Sequence, residues 1–406
     1  MKARDRKRAK RLLVSVLLGA SACGGERATG GMAGPPIAEA FPPYTEWTLD
    51  SRPGVRIGAV DGPAEYQLSR VAYAARLEDG RFVVVDGGSD ELRWFSPDGH
   101  FEARAGGRGQ GPGELSWVVD ATLTPQDTVV LYDGRNQRLT WFGPEGSLSH
   151  TIPIGLLGAV TLVPLRDARL VIAEERPTYN FGREEYNSTR DSVLIMVTGG
   201  GAGALDTLMR SPGREAATWV GHTDGRVTAH RQMAMPFGET TLVGSVADRI
   251  VMVEDGRRDL VFLSREGEVM RLARRTDVNP PLLSAALRRE YVTNVGEKAK
   301  AEGRPEGPAE ASAEHLLELI PEDHRLPAFD RMLTDPVSGR IWVRDYLLPW
   351  DAGEAEHWTV YDSTGHVLAR VTTPRGLDVM QVGPSHVVGV ERDEMGVEHV
   401  TAYAFR

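Results

Sequence analysis

Six carboxylates fall at matching places along the chain: Asp86, Asp133, Glu174, Glu254, Asp345 and Glu391 each end a short apolar run. A ring of acids could hold a cation, since calcium takes several oxygen ligands. An acid at the end of a strand also accepts hydrogen bonds from the amides of the following turn. The second reading is favoured, because the runs that these acids end lie away from any common axis. No cofactor is expected, and calcium or zinc in an axial tunnel is the alternative. The ten histidines show neither HExxH nor paired His/Cys spacing, although His222, His230, His324 and His357 all fall in long connections. The stretch Thr198 to Ala204 contains GxGxxA after a strand but lacks the helix that a dinucleotide site requires. GxSxG and P-loop patterns are absent. What remains is recognition chemistry. Aromatic side chains with arginines suit binding, and the candidate ligand residues are Tyr179, Trp219, His222, Arg257, Arg258, Tyr346 and Trp350, beside Phe181, Arg183, Tyr186 and Tyr291. The Arg257-Arg258 pair would fix an anionic group, or would pair with Glu254, Asp255 and Asp259 beside it.

The elements that must position these residues are short strands in a repeat. Asp79 to Glu114 reads as an apolar run ending at Asp86, an alternating run from Glu91 to Ser96, the turn Asp98-Gly99 and a strand from His100 before a glycine-rich exit. Displaced by 47 residues, Asp86, Gly87, Leu92, Trp94, Phe95, Pro97 and Gly99 fall on Asp133, Gly134, Leu139, Trp141, Phe142, Pro144 and Gly146. Further copies lie at 249 to 267, at 339 to 345 resuming at 358, more weakly at 169 to 197, and at 386 to 405. With a preceding strand for each, these make six four-stranded units, the blade pattern of a propeller. The last unit supplies three strands. Val55 to Gly58, followed by GPAE, matches Arg104 to Gly107, followed by GPGE, so the N-terminal strand is expected to complete the C-terminal blade and remove its open edge.

The DG..L..F.PDG core, the GxGPGE exit and the GVEHV ending at Gly396 to Val400 resemble the NHL-repeat six-bladed β-propellers, in particular bacterial secreted members. The resemblance covers residues 46 to 406 and implies an all-β, six-bladed propeller of four-stranded antiparallel blades. Relatives of this fold include binding scaffolds, lactonases and an amidating lyase, so the fold alone selects no activity.

Antiparallel strands put the b-to-c and d-to-a connections on one face and the a-to-b and c-to-d turns on the other. The long insertions, 175 to 190, 210 to 239, 274 to 328 and 346 to 357, all fall on the first face. The largest carries helical patterns over Ser284 to Ala301 and Ala309 to Ile320, broken by EGRPEGP, and its apolar stripe is expected to cap that face between blades 4 and 5.

The N-terminus has seven basic residues between Lys2 and Arg11, then the apolar run Leu12 to Ala22, too short to span a bilayer. Residues 1 to 22 read as a signal peptide. Ala20-Ser21-Ala22-Cys23 resembles the lipobox of bacterial lipoproteins, whose cysteine is acylated, and residues 23 to 45 read as the lipidated cysteine and its flexible tether. Cys23 is the sole cysteine, so the rest of the chain has no disulfide. Loss of residues 1 to 22 removes seven basic groups and one acid and takes the net charge from −10 to −16, which disfavours nucleic acid and anionic membrane surfaces. The expected protein is a non-catalytic binding or scaffold propeller of the cell envelope, lipid-anchored and on the outer membrane, or else secreted. It would take an envelope protein, glycan or small molecule on the insertion-bearing face. A propeller hydrolase or lyase, lactonase-like or amidating-lyase-like, is the alternative. Cys23→Ser should abolish incorporation of labelled fatty acid and release the protein from the membrane fraction; label retained in the variant would remove the anchor.

Overall fold

The computed structural model describes residues 44–181, 185–198, 205–254, 259–274, 279–348, 350 and 355–406. Two short strands, β1 (Thr45–Thr48) and β2 (Val55–Ile57), come first. Sheet I follows with β3 (Val71–Arg76), β4 (Phe82–Asp86), β5 (Glu91–Phe95) and β6 (Phe101–Gly106), and sheet II with β7 (Val118–Leu123), β8 (Val129–Asp133), β9 (Arg138–Phe142) and β10 (Leu148–Pro153). Sheet III has five strands: β11 (Val160–Pro164), β12 (Leu170–Arg176), β13 (Tyr186–Thr198), β14 (Leu205–Thr223) and β15 (Arg226–Ala234). Sheet IV is β16 (Leu242–Val246), β17 (Arg249–Val253), β18 (Asp259–Leu263) and β19 (Val269–Arg274). After helices α1 (Ala285–Ala301) and α2 (Glu306–Glu318), sheet V holds β20 (Phe329–Asp335), β21 (Arg340–Asp345), β22 (Ala355–Tyr361) and β23 (Val367–Pro374), and sheet VI holds β24 (Asp378–Val382), β25 (His386–Arg392) and β26 (Glu398–Ala404). Among the described residues the protein is therefore all-β apart from two α-helices and one short 3-10 turn, built of largely antiparallel sheets that are mostly four-stranded.

The apolar cores lie between sheets. In the second strand of sheet I, Val83 and Val85 pack against Leu115, Val118, Ala121, Val129 and Leu131 of sheet II. Phe82 and Val84 turn the other way, onto Ile57, Val388, Val390 and Val400 of sheet VI. Successive side chains of a strand point to opposite faces. A sheet packed on both faces therefore needs an unbroken apolar run, and FVVVD in β4 and VVLYD in β8 are such runs, buried throughout. Each fully buried valine contributes about 2 kcal/mol. Corresponding clusters join sheets II and III, III and IV, IV and V, and V and VI.

Trp94, fully buried, shows how the repeat serves this packing. Its indole lies under the turn of sheet II, 3.3 Å from where a Cβ on Gly146 would stand, and Gly146 has φ 78°. Only glycine meets both the positive φ and the close approach.

The first strand of every sheet, β3, β7, β11, β16, β20 and β24, is an edge strand, and its exposed backbone is met by the neighbouring first strand. The Leu123 amide donates to Tyr73 Oη at 3.2 Å, and the Leu162 amide to Asp120 Oδ2 at 2.7 Å. Ser245 donates from Oγ to the Pro164 carbonyl at 2.5 Å and from its amide to Thr334 Oγ1 at 3.2 Å. Arg331 pairs with Asp378. Gln381 accepts from the Arg76 amide at 2.8 Å and donates to the Arg76 carbonyl at 3.1 Å. The links run through all six sheets and return to the first.

β2 pairs antiparallel with β26, Ile57 opposite Val400, as the match of Val55 to Gly58 with Arg104 to Gly107 anticipates. Other features depart from the expectation of uniform four-stranded units. Thr45–Thr48, which spans the expected boundary between tether and propeller, forms a parallel strand on the outer edge of sheet V, where Trp47 stacks on Phe405 at 5.2 Å. The stretch 210 to 239 is largely strand and 175 to 190 turns to strand from Tyr186, with β13 and β14 running beyond the sheet and β15 folded back on β14. Alternation in that segment is masked by its polar exposed face, so it looks like a loop. α2 begins at Glu306, inside the expected break, because Pro305 sits at the N-cap and Pro308 in the first turn, where the missing amide would have no partner anyway.

Deleting residues 53–60 should strip β2 from sheet VI, expose Val400, and lower the thermal midpoint cooperatively by on the order of 10 °C; an unchanged midpoint would place the seam elsewhere.

Candidate functional site

The first strands of all six sheets contribute to a cavity of about 1030 Å³, lined by Val71 to Tyr73, Arg76 to Glu78, Asp120 to Asp127, Thr161 to Pro164 with Arg166, Val243-Gly244, Arg331 to Val337, and Asp378 with Met380 to His386. It reaches the short turns at Asp127, Arg166, Pro336 and Pro384, and no residue of α1 or α2 lines it.

Two levels of polar chemistry can be read along the strands. Toward the starts of the first strands stand Tyr73, Asp120 and the Arg331–Asp378 pair. Burial pushes the Asp120 carboxyl up to about 7, against the Leu162 and Ala121 amides that lower it. Burial beside Asp120 also raises the Tyr73 phenol. Toward the ends stand Arg76, Asp335 and His386. The imidazole is pushed down to about 4, first by burial and then by the Arg76 charge, with Asp335 opposing. It is therefore neutral at pH 7.

The residues singled out for binding lie elsewhere, in two groups. Tyr179 stacks on Phe181 at 6.0 Å, and both meet His230 edge-on, at 5.2 and 5.1 Å. Trp219, on β14, donates from Nε1 to Glu185 at 2.8 Å, and His222 lies at the far end of the same hairpin, opposite Val227. Tyr346 and Trp350 belong to a second cluster, formed with Phe237, Leu283, Leu317, Ile320, Leu326 and the α1 residues Leu287 and Tyr291. Trp350 Nε1 donates to Glu290 at 2.6 Å, and burial, with Asp330 and Tyr291 nearby, pushes the Tyr346 phenol up to about 12. The apolar side of the helices thus rests on the connections around Phe237 and Tyr346. Tyr186 stacked on His315 at 5.0 Å ties α2 to β13, and Arg288 closes the C-terminal end of α2 through the Leu317 carbonyl at 2.8 Å. Cys23, Arg183, Arg257-Arg258 and the glycine stretch 199 to 204 lie outside the described residues.

The strand-end acids hold loops. Asp86 accepts from the Ser69 and Gly88 amides at 3.1 Å each and pairs with buried Arg93 at 2.9 Å. Asp133 takes the Ser116 amide at 3.0 Å, Glu174 the Leu157 amide at 2.6 Å, and Glu391 the Tyr403 hydroxyl at 2.7 Å. None of the six acids lines the cavity. Among the described residues no group of three or more His, Cys, Asp or Glu side chains comes together to hold a metal ion.

The cavity residues Arg76, Asp120, Asp335 and His386 were missed by sequence reasoning. The available signal was departure from the repeat: the position that is Leu123 in sheet II is Arg76 in sheet I, and Tyr73 is replaced by Asp120.

No family model matches this chain, and no curated protein does. Solved structures of the β-propeller kind do resemble it in chain path. A member of the DUF4221 family from Bacteroides vulgatus is 9% identical with a TM-score of 0.48, covering 89% of this chain and 99% of that one. Virginiamycin B lyase from Staphylococcus aureus is 9% identical with a TM-score of 0.39, covering 88% and 99%. The Pan2 WD40 domain of Neurospora crassa is 8% identical with a TM-score of 0.38, covering 90% and 97%.

Asp120 makes stability depend on pH in a definite direction. A carboxyl raised from 3.8 to about 7 by folding contributes stability that is complete below the lower value and lost as pH rises through the upper one. The melting midpoint should therefore fall between about pH 4 and about pH 7 and level off above that, and Asp120→Asn should shrink that fall. An equal fall in both proteins would show that Asp120 is not the group responsible.

Proposed function

We propose that the protein is an exported six-bladed β-propeller of the NHL-repeat kind, closed through β2, anchored by lipid at Cys23, and acting as a non-catalytic binding module of the bacterial cell envelope. The observation that carries the binding reading is the cavity of about 1030 Å³ lined by the first strands of all six sheets. Pockets of this order suit ligands the size of a sugar or short peptide, and the walls mix aliphatic positions such as Ala72, Leu162 and Met380 with the few charged groups that would orient one. The signal peptide and the lipobox-like cysteine supply the address, and the seam bonds together with the β2–β26 pairing support closure.

The insertion-bearing face carries a second recognition surface in this reading, for an envelope protein or glycan. The exposed Tyr179–Phe181 stack with His230 supports it. Trp219 and His222 extend this surface, Tyr346 and Trp350 contribute by seating the helices, and the anion-binding role proposed for Arg257 and Arg258 rests on the sequence alone.

The test uses the mature chain as its soluble Cys23→Ser form, incubated with a small-molecule extract of envelopes and examined by native mass spectrometry. The protein should retain a ligand at one per chain, and Ala72→Trp, which fills the cavity, should lose it with little change in melting midpoint. No retained ligand, or equal retention by the filled variant, overturns the assignment to the cavity.

A further inference from the structure

The turn-side end of the cavity gathers three groups whose bonding capacity is left open. Arg76 is the last residue of β3, Asp335 the last of β20 and His386 the first of β25, so sheets I, V and VI bring them to one level beside the short turns. They are close enough to act on one another, since both Arg76 and Asp335 influence the imidazole electrostatically.

Each has been positioned by bonds that leave a functional atom unused. The Arg76 backbone is clamped by Gln381, but its guanidinium reaches only the Gly80 carbonyl, from Nε at 3.5 Å, and among the described residues no carboxylate pairs with it. Asp335 is 5% exposed; Oδ1 accepts the Val337 amide at 2.9 Å, while Oδ2 is buried with no partner. His386 Nε2 is likewise buried without a partner. A buried carboxylate oxygen left unsatisfied costs about 1–3 kcal/mol or more, and an unsatisfied buried group in a folded protein calls for an explanation. Among the other cavity charges, Glu78 and Arg166 are exposed to solvent. Arg331 is spent on Asp378 and Asp120 on the Leu162 amide, both as parts of the seams.

We propose that Arg76, Asp335 and His386 form a binding site for a small carboxylate that carries a hydroxyl or ammonium donor a few bonds away. A guanidinium presents paired N–H groups that match a carboxylate bidentately. The donor of the ligand goes to Asp335 Oδ2, and the neutral imidazole, offering one donor and one acceptor, takes a second polar group. Glu78, Asp127 and Asp335 along the same end oppose a doubly charged phosphate, and so favour a singly charged carboxylate. Arg166, at the turns, adds a positive charge along the entrance.

This inference rests on the reading of the cavity as the ligand site, and the experiment separates the two. Calorimetric titration of the mature Cys23→Ser protein uses D-glucuronate and glycine as probes, with D-glucose and inorganic phosphate as controls. At least one carboxylate probe should bind and neither control should. Arg76→Gln and Asp335→Asn should each weaken binding by on the order of tenfold or more, with Arg76→Lys between Arg76→Gln and the parent. Should the Asp335 variant fail to fold, the His386 imidazole nitrogen shifts in the parent protein still report: they should move on adding the probe that binds and stay fixed with glucose. Binding that survives both substitutions, imidazole shifts that ignore the bound probe, or no binding by either carboxylate overturns the proposal. If a ligand without a carboxylate is then retained in a way that Ala72→Trp abolishes, the cavity reading stands while this one falls.

Discussion

An edge strand presents a row of amides and carbonyls that must be satisfied, and this protein has six of them facing inward. Backbone hydrogen bonds within each sheet stop at β3, β7, β11, β16, β20 and β24. Side chains from the neighbouring first strand answer part of the need: Tyr73, Asp120, Ser245, Thr334 and Gln381 each bond a backbone group of the next sheet, and Arg331–Asp378 bridges the remaining seam. The apolar clusters further out give most of the cohesion, but they are non-directional. The seam bonds specify which residue stands opposite which, and so set the positions of every group that lines the cavity.

The same accounting explains what the strand-end acids do in the fold. A carboxylate at the end of a second strand meets the loop entering its own sheet, where amides such as those of Ser69, Ser116 and Leu157 point at it. Once two or three amides and an arginine have been accepted, as at Asp86, little capacity is left for an ion. In sheets I, II and III the repeated acid meets a repeated structural need, since each has a loop entering its first strand to hold.

How much was legible in the sequence follows from what repeats. The unbroken apolar runs of the second strands, Trp94 under the following turn, the Asp-Gly turns and the return of residues 55 to 57 to the last sheet could be read because each depends on a local pattern or a matching copy. β1 was not legible: Thr45–Thr48 has no copy, and its parallel pairing with β23 depends on a tertiary contact of Trp47 with Phe405 and Trp342. The extension of β13 and β14 was hidden because one face of it is solvent-exposed. Candidate site residues drawn from insertion length and aromatic type split into groups with structural partners, Trp219 on Glu185 and Trp350 on Glu290 among them. Aromatics in long connections are as often needed to seat the connection as to meet a ligand.

Repeat architecture also has a consequence for where chemistry can reside. Similar first strands offer similar positions to the cavity, and the cavity is chemically uneven only where the copies differ. In sheets I and II the second strand is nearly interchangeable, whereas the first strands differ where they face the cavity, with Tyr73 against Asp120 and Arg76 against Leu123. The variation is one-sided because the outward faces of these strands must fit the packing between sheets, while the inward faces meet open volume and are free to diverge. A search for the repeated pattern therefore finds the scaffold and passes over the cavity-lining residues that break it.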